Sequence, residues 1–232
     1  MKPTLLLLHG ALAAESQLKP LARQLSAAFA VHTLSFSGHG GRELVPAEFT
    51  MDSFAAEVHA YLEGKDLTEV HVFGYSMGGY AALLSALRHP GPIRTITTLG
   101  TKFDWTPETA AAETRMLDAA KIQEKVPQFA EQLRLTHAPT DWTQVLAATG
   151  TMMRQLGDSP PLTAATLSEV ALPVQVLVGE LDKTAGVDAS AQFAGYLPRG
   201  RFEVIMNTPH PLERVNPDLL AERISRFIGE HS

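Results

Sequence analysis

Residues 70–80 read Val70-His71-Val72-Phe73-Gly74-Tyr75-Ser76-Met77-Gly78-Gly79-Tyr80. An apolar, β-branched run breaks at a serine flanked by glycines, and Ala81-Ala82-Leu83-Leu84-Ser85-Ala86-Leu87 then continues in a small-residue helical pattern. Strand, sharp turn and helix, in that order, is the setting in which Gly-x-Ser-x-Gly lifts a serine clear of a sheet edge. The requirement is steric. Such a turn is tight and the serine backbone strained, so positions 74 and 78 cannot carry bulky side chains, and glycine meets that need. The turn also brings the first amides of the helix, Met77 N–H among them, to the side where an anion could be held.

Working outward, Thr4 to Leu8 is a short apolar run bounded by Pro3 and Gly10, the pattern of a parallel strand covered on both faces. After His9-Gly10-Ala11-Leu12 comes an amphipathic helix near Glu15 to Ala28, with Leu18, Leu21, Ala22 and Leu25 inward. Val31 to Phe36 reads as a second strand, ending in the glycine-dense loop Ser37-Gly38-His39-Gly40-Gly41-Arg42. A helix from about Thr50 to Leu62 carries Phe54, Val58, Tyr61 and Leu62 at helical spacing and stops at Gly64. Ile93 to Leu99 is the strand after the serine turn and its helix. Strands alternating with helices at this spacing give right-handed crossovers and an α/β fold, a doubly wound, mostly parallel sheet of about six strands.

The alternation breaks between Thr101 and Leu172. Helical stretches are predicted over Pro107 to Val126, Pro127 to Leu135 and Trp142 to Leu156, with no strand among them. Both tryptophans fall here, with Phe103, Trp105, Met116, Trp142, Met152 and Met153 expected to be exposed apolar residues. The chain is accordingly expected to form one domain, residues 1–232, with a helical insertion at about 104–160. Such an insertion sits at the carboxyl end of the sheet, as a lid with an apolar wall or as a packing layer with its own small core. The sheet resumes with Val174 to Val178, then a helix near Asp188 to Tyr196, a strand over Arg201 to Met206 and a last helix from about Pro217 to Ile228.

Composition narrows the classes. Hydrophobic residues make up 45% and charged residues 19% of the 232, an ordinary globular balance with a net charge of −6. No cluster of Lys and Arg forms the basic stripe that a nucleic-acid partner would require. Cysteine is absent, which removes disulfides and thiolate metal sites. The nine histidines lack His-x-x-x-His spacing, so no zinc site is expected. Leu5 to Leu8 is too short for a signal-peptide core and lacks a cleavage site, and no stretch is long enough to span a bilayer. A cytoplasmic protein with a small-molecule partner is the expectation; the oligomeric state has no pattern here to mark it.

A serine hydroxyl needs a base to take its proton and a third group to orient that base. In a doubly wound sheet these lie just past the carboxyl ends of strands. Asp182, after Val178-Gly179-Glu180-Leu181, and His210, after Met206-Asn207-Thr208-Pro209, meet that condition. Asp104 also follows a strand and rivals Asp182; Asp188 and Glu180 read as a helix cap and a solvated carboxylate. His9 reads as a residue that orders its loop through the backbone, and His39 as a turn residue near a pocket rim. Arg42, Lys102 and Arg154 are cations that an anionic substrate could meet, with a plain surface role the favoured reading of each.

With His9-Gly10, Gly38-His39-Gly40, the Gly74–Gly78 turn, Gly179-Glu180-Leu181-Asp182 and the His210–Glu213 segment in register, the chain resembles the α/β-hydrolase superfamily over nearly its whole length. The order Ser76, Asp182, His210 is that family's order. The family's first two strands are missing, and His210 lies between Pro209 and Pro211, where a small residue is usual before the histidine. The resemblance implies catalytic Ser76, Asp182 and His210, an oxyanion hole of Ala11 and Met77 amides, and a substrate pocket of Leu12, Tyr75, Trp105, Trp142 and Met153. It implies a serine hydrolase acting on an ester, thioester or related acyl compound, with no cofactor and no metal. The same frame serves a menaquinone-biosynthesis-synthase-like lyase, carbon–carbon hydrolases, perhydrolases and ligand-binding or signalling relatives with little turnover.

Overall fold

The computed structural model describes residues 2–231; Met1 and Ser232 lie outside the described residues. Strands β1 (Thr4–Leu8), β2 (Ala30–Leu34), β3 (Val70–Tyr75), β4 (Ile93–Leu99), β5 (Val174–Gly179) and β6 (Gly200–Ile205) form one sheet in the order β2-β1-β3-β4-β5-β6. Every pairing is parallel. The chain moves from β1 outward to β2 and returns to β3, so the order reverses between β1 and β3. In open α/β sheets that reversal opens a crevice at the carboxyl ends of the strands.

Helices cover both faces. On one lie α1 (Lys19–Leu25), preceded by a 3₁₀ turn at Glu15–Leu18, and α10 (Pro217–Gly229). On the other lie α2 (Met51–Gly64), α3 (Met77–Arg88) and α9 (Val187–Ala194). Strand alternation explains the unbroken Leu5–Leu8 run. Leu5 and Leu7 pack with Leu21, Leu25 and Ile224, whereas Leu6 and Leu8 pack with Phe54, Val58 and Leu83.

Five helices lie between β4 and β5: α4 (Pro107–Thr114), α5 (Ala119–Lys125), α6 (Pro127–His137), α7 (Trp142–Asp158) and α8 (Ala164–Leu167). The single helix expected over Pro107 to Val126 is two. The break falls before Asp118, whose carboxylate accepts from Lys121 N at 3.1 Å and starts a new helix. The near-continuous helix expected at Glu15 to Ala28 is likewise a 3₁₀ turn followed by α1, with Pro20 in the first helical turn.

Several insertion residues expected at the surface are buried. Phe103 stacks on Phe193 at 5.4 Å, Met152 joins the core between the insertion and the sheet, and Trp142 packs with Ile122, Ala130, Leu133 and Leu146. Met116, 74% accessible, is exposed as expected. Among the described residues no helix is long and apolar enough to cross a membrane.

Candidate active site

Ser76 stands between β3 and α3 with φ 50° and ψ −114°, a left-handed conformation for a residue with a Cβ. Such a backbone costs about 1–3 kcal/mol and persists only where its surroundings enforce it. Here Ser76 N–H donates to Leu99 O at 2.8 Å, and the Thr101 hydroxyl donates to Ser76 O at 3.0 Å. A Cβ at Gly78 would lie 2.5 Å from Leu8 O, so the helix can approach β1 this closely only with glycine there.

Met77 is the first residue of α3, where a helix geometry leaves the N–H without an i−4 acceptor. Across the crevice, the turn after β1 carries Ala11. The neighbouring Gly10 lies against Tyr75, whose ring a Cβ would meet at 2.7 Å. His9 orders this turn as expected: its Nε2 accepts from Phe36 N–H at 3.1 Å, so Nδ1 carries the proton and donates to Gly10 O at 2.7 Å. Burial lowers the His9 pKa from 6.5 to about 4, which keeps it neutral.

Asp182, buried, and His210, part-buried, come together past the ends of β5 and β6. His210 Nδ1–H donates to Asp182 Oδ2 at 2.8 Å, while Oδ1 accepts from Thr184 N–H and Ala185 N–H, each at 2.9 Å. With Nδ1 protonated, the other ring nitrogen is the free base. Tyr75, beside the serine, donates its hydroxyl to His210 O at 3.0 Å, and its ring lies 5.5 Å from the imidazole. The prolines flanking His210 therefore do not turn it from Asp182. Gly100, with φ 62°, lies beneath the pair; a Cβ there would meet Asp182 Oδ2 at 2.9 Å and His210 Nδ1 at 3.2 Å. Leu99-Gly100 thus supports the serine backbone on one side and the aspartate–histidine pair on the other.

Asp104 is engaged elsewhere. Its carboxylate accepts from Lys102 Nζ at 3.0 Å, and that ammonium also donates to Thr184 O at 3.3 Å. Glu113 lies 3.9 Å from the same nitrogen, and burial raises its pKa.

Two spaces meet at Ala11, one lined by Ser76 and the other by Tyr75 and His210. The inner cavity is small, about 40 Å³, and is walled by Ser76, Met77, Tyr80, Lys102, Trp105 and Met153, with Met51, Met152 and Leu156 completing it. The outer groove, about 640 Å³ and open to solvent, runs past Tyr75, His210, Gln17, Gln132, Thr136 and Glu213. Of the expected pocket residues, Trp105 and Met153 line the cavity that holds Ser76. Leu12 and Tyr75 line the outer groove instead, and Trp142 lines neither because the insertion's own small core claims it.

Gly100, Thr101 and the cavity residues Tyr80, Met51 and Leu156 were not expected from sequence, whereas Lys102 was expected as a possible substrate-facing cation and Met152 as an apolar residue of the insertion. Tyr80 had a signal, four residues after Ser76 and so on the same helix face. His39 is not at a rim but fully buried, stacked on Phe49 at 5.1 Å. Among the described residues no group of three or more His, Asp or Glu is placed to hold a metal ion.

A doubly wound sheet with a strained serine turn and an aspartate–histidine pair at its carboxyl edge defines the class. The family described as alpha/beta hydrolase fold matches residues 3–170, and the chain belongs to it. Similar proteins include the 2-(acetamidomethylene)succinate hydrolase of Mesorhizobium japonicum, 20% identical over 97% of this chain and 88% of that protein. The pimeloyl-[acyl-carrier protein] methyl ester esterase of Aliivibrio salmonicida is 24% identical over 97% of this chain and 91% of that protein. The crystal structure of NosK from Streptomyces actuosus has a TM-score of 0.84 at 21% identity, covering 100% of this chain and 99% of that one.

Proposed function

We propose that the protein is a serine hydrolase that cleaves a carboxylic ester, or a related acyl compound, through an acyl-enzyme intermediate. One observation carries this reading: a strained serine and a tautomer-fixed histidine–aspartate pair share the Leu99-Gly100 support. Ser76 Oγ attacks the acyl carbon as the free nitrogen of His210 takes its proton, and Asp182 stabilises the resulting imidazolium. The amides of Ala11 and Met77 receive the oxyanion. His210 returns the proton to the leaving group, the carbon–oxygen bond breaks, and water then repeats the sequence to release the acid.

Proton delivery orients the substrate. The leaving group must lie on the His210 side, which is the open polar groove, so the acyl group occupies the inner cavity. That cavity is mostly methionine, leucine and tryptophan, and its cation, Lys102, already holds Asp104. The fit is to a compact, uncharged acyl chain. A lyase acting on a polycarboxylate would require unpaired cations there, and the cavity wall offers none. The two relatives named for acyl-compound hydrolysis agree with the reaction class.

Initial rates on p-nitrophenyl acetate, butyrate, octanoate and laurate measure the cavity directly. Short chains should be preferred, laurate should be poor, and Ser76→Ala should remove turnover of all four. Undiminished rates in that variant would end the serine mechanism.

A further inference from the structure

The insertion packs its small core on the Leu12 side chain and also reaches the Gly10–Ala13 turn through one buried polar side chain. His137, at the end of α6, is fully buried. Its Nδ1 accepts from Gly40 N–H at 3.3 Å, which leaves the proton on Nε2, and Nε2–H donates to Leu12 O at 3.2 Å. Leu12 is itself in the left-handed region, φ 60°, so its peptide orientation needs enforcement.

We propose that His137 is a positioning residue for the Ala11 amide, acting through two successive peptide groups. A trans peptide is planar, with its C=O and N–H pointing in opposite directions. The Leu12–Ala13 peptide has its carbonyl held by His137, and its N–H, Ala13 N, donates to Gly10 O at 3.3 Å. The Gly10–Ala11 peptide therefore has its carbonyl held by Ala13 N–H and by His9 Nδ1–H. Its N–H, that of Ala11, must point the opposite way, toward the space that Ser76 and Ala11 both border. The sequence is imidazole, peptide, peptide, oxyanion. Each donor in such a chain is polarised by the acceptor beyond it, so charge developing on substrate oxygen tightens every link back to His137.

The surroundings hold His137 in one place and one tautomer. A Cβ at Gly41 would lie 2.5 Å from Ala138 O, and the Thr140 hydroxyl donates to Arg42 O at 3.3 Å, so residues 137–140 press onto the glycine-dense loop. The titratable groups nearest the ring are His39, whose ring is 5.7 Å away, and His9 beyond it. Burial lowers the pKa of all three histidines, which keeps His137 neutral, as one donor and one acceptor. The loop Gly38-His39-Gly40-Gly41 is thereby the seat on which the insertion steadies the oxyanion turn.

This inference rests on the hydrolase reading, and the test separates the two. With p-nitrophenyl acetate, His137→Leu keeps the packing volume and removes both links; kcat should fall about tenfold with KM within twofold, a transition-state loss. His137→Gln restores a donor and an acceptor and should recover kcat to within about threefold of the parent. Unchanged kcat in H137L, or an equal loss in both variants, overturns the positioning role. If H137L does not fold, ¹⁵N NMR of the unaltered enzyme with butylboronic acid decides. The tetrahedral adduct on Ser76 should move the Ala11 amide, Ala13 amide and His137 Nε2–H resonances together; a His137 proton that stays put while Ala11 moves overturns the proposal. Absence of both turnover and adduct in the unaltered enzyme would remove the hydrolase reading and this inference with it.

Discussion

The turns at the carboxyl edge of the sheet and the helices between β4 and β5 face each other across Ser76, and they hold their residues by opposite means. At the sheet edge, position is enforced by backbone: Ser76 N–H on Leu99 O, Asp182 Oδ1 on two amides, and glycines at 10, 78 and 100 where no Cβ fits. In the insertion, position is set by burial of side chains. Trp142 is 8% accessible inside a small core of Ile122, Ala130, Leu133 and Leu146, whereas Trp105, half-buried, turns toward the serine cavity. Backbone-enforced geometry suits chemistry, which tolerates little displacement. Side-chain-enforced geometry suits selection of acyl size, which can change by substitution without unsettling the turns.

The contrast can be broken most severely at Asp182. Asp182→Asn leaves an amide beside His210 Nδ1 and permits the wrong tautomer; kcat should fall about 10³–10⁴-fold with little change in melting temperature. Gly100→Ala asks for a left-handed alanine directly under the Asp182–His210 hydrogen bond. A displacement of about 1 Å there should cost about 100-fold in kcat/KM, read by steady-state kinetics beside the melting curve. If G100A is fully active, backbone contact is not what positions the pair.

The two tryptophans sharpen the comparison from the other side. Trp142→Ala should lose about 3 kcal/mol in urea unfolding while the order of preference among acyl chain lengths stays the same. Trp105→Ala should do the reverse, shifting that preference by about two to four carbons with a smaller loss of stability. Equal effects from both would mean that the insertion has no division between core and cavity wall.

An acid dependence of stability is expected as well. His9 titrates near 6.5 unfolded and at about 4 folded, so between those values the unfolded chain binds the extra proton. Stability from this residue is complete above about pH 6.5 and is lost as pH falls toward 4, by on the order of 3 kcal/mol. His39 and His137 shift in the same direction. His39→Phe, which keeps the stack on Phe49, should flatten the melting-temperature slope between pH 6.5 and 4.5; an unchanged slope would place the acid sensitivity elsewhere.

The sheet edge was legible because its rules are local. Gly-x-Ser-x-Gly between a strand and a helix, and an acidic residue and a histidine each a few residues past a strand, carry their geometry in their spacing. Asp182 could be preferred to Asp104 on its loop, and the structure adds the reason, since Lys102 occupies Asp104. The insertion was legible as helices but not as faces. Trp142 and Met152 on helices, and Phe103 in the loop before them, were expected at the surface, because sequence does not say which neighbouring helix or sheet face covers an apolar residue. Gly100 and His137 escaped for a related reason: one is a glycine after a strand, the other a lone histidine at a helix end, and each matters through residues 82 or more positions away. No local pattern encodes such a contact.

The most direct measurement is to treat the protein with a fluorophosphonate and map the adduct by peptide mass spectrometry. The modification should fall on Ser76 alone, form at least 100-fold more slowly in His210→Ala, and be absent from Ser76→Ala. Phosphonylation at another residue, or equal rates with and without the imidazole at 210, would contradict the assignment of an activated serine.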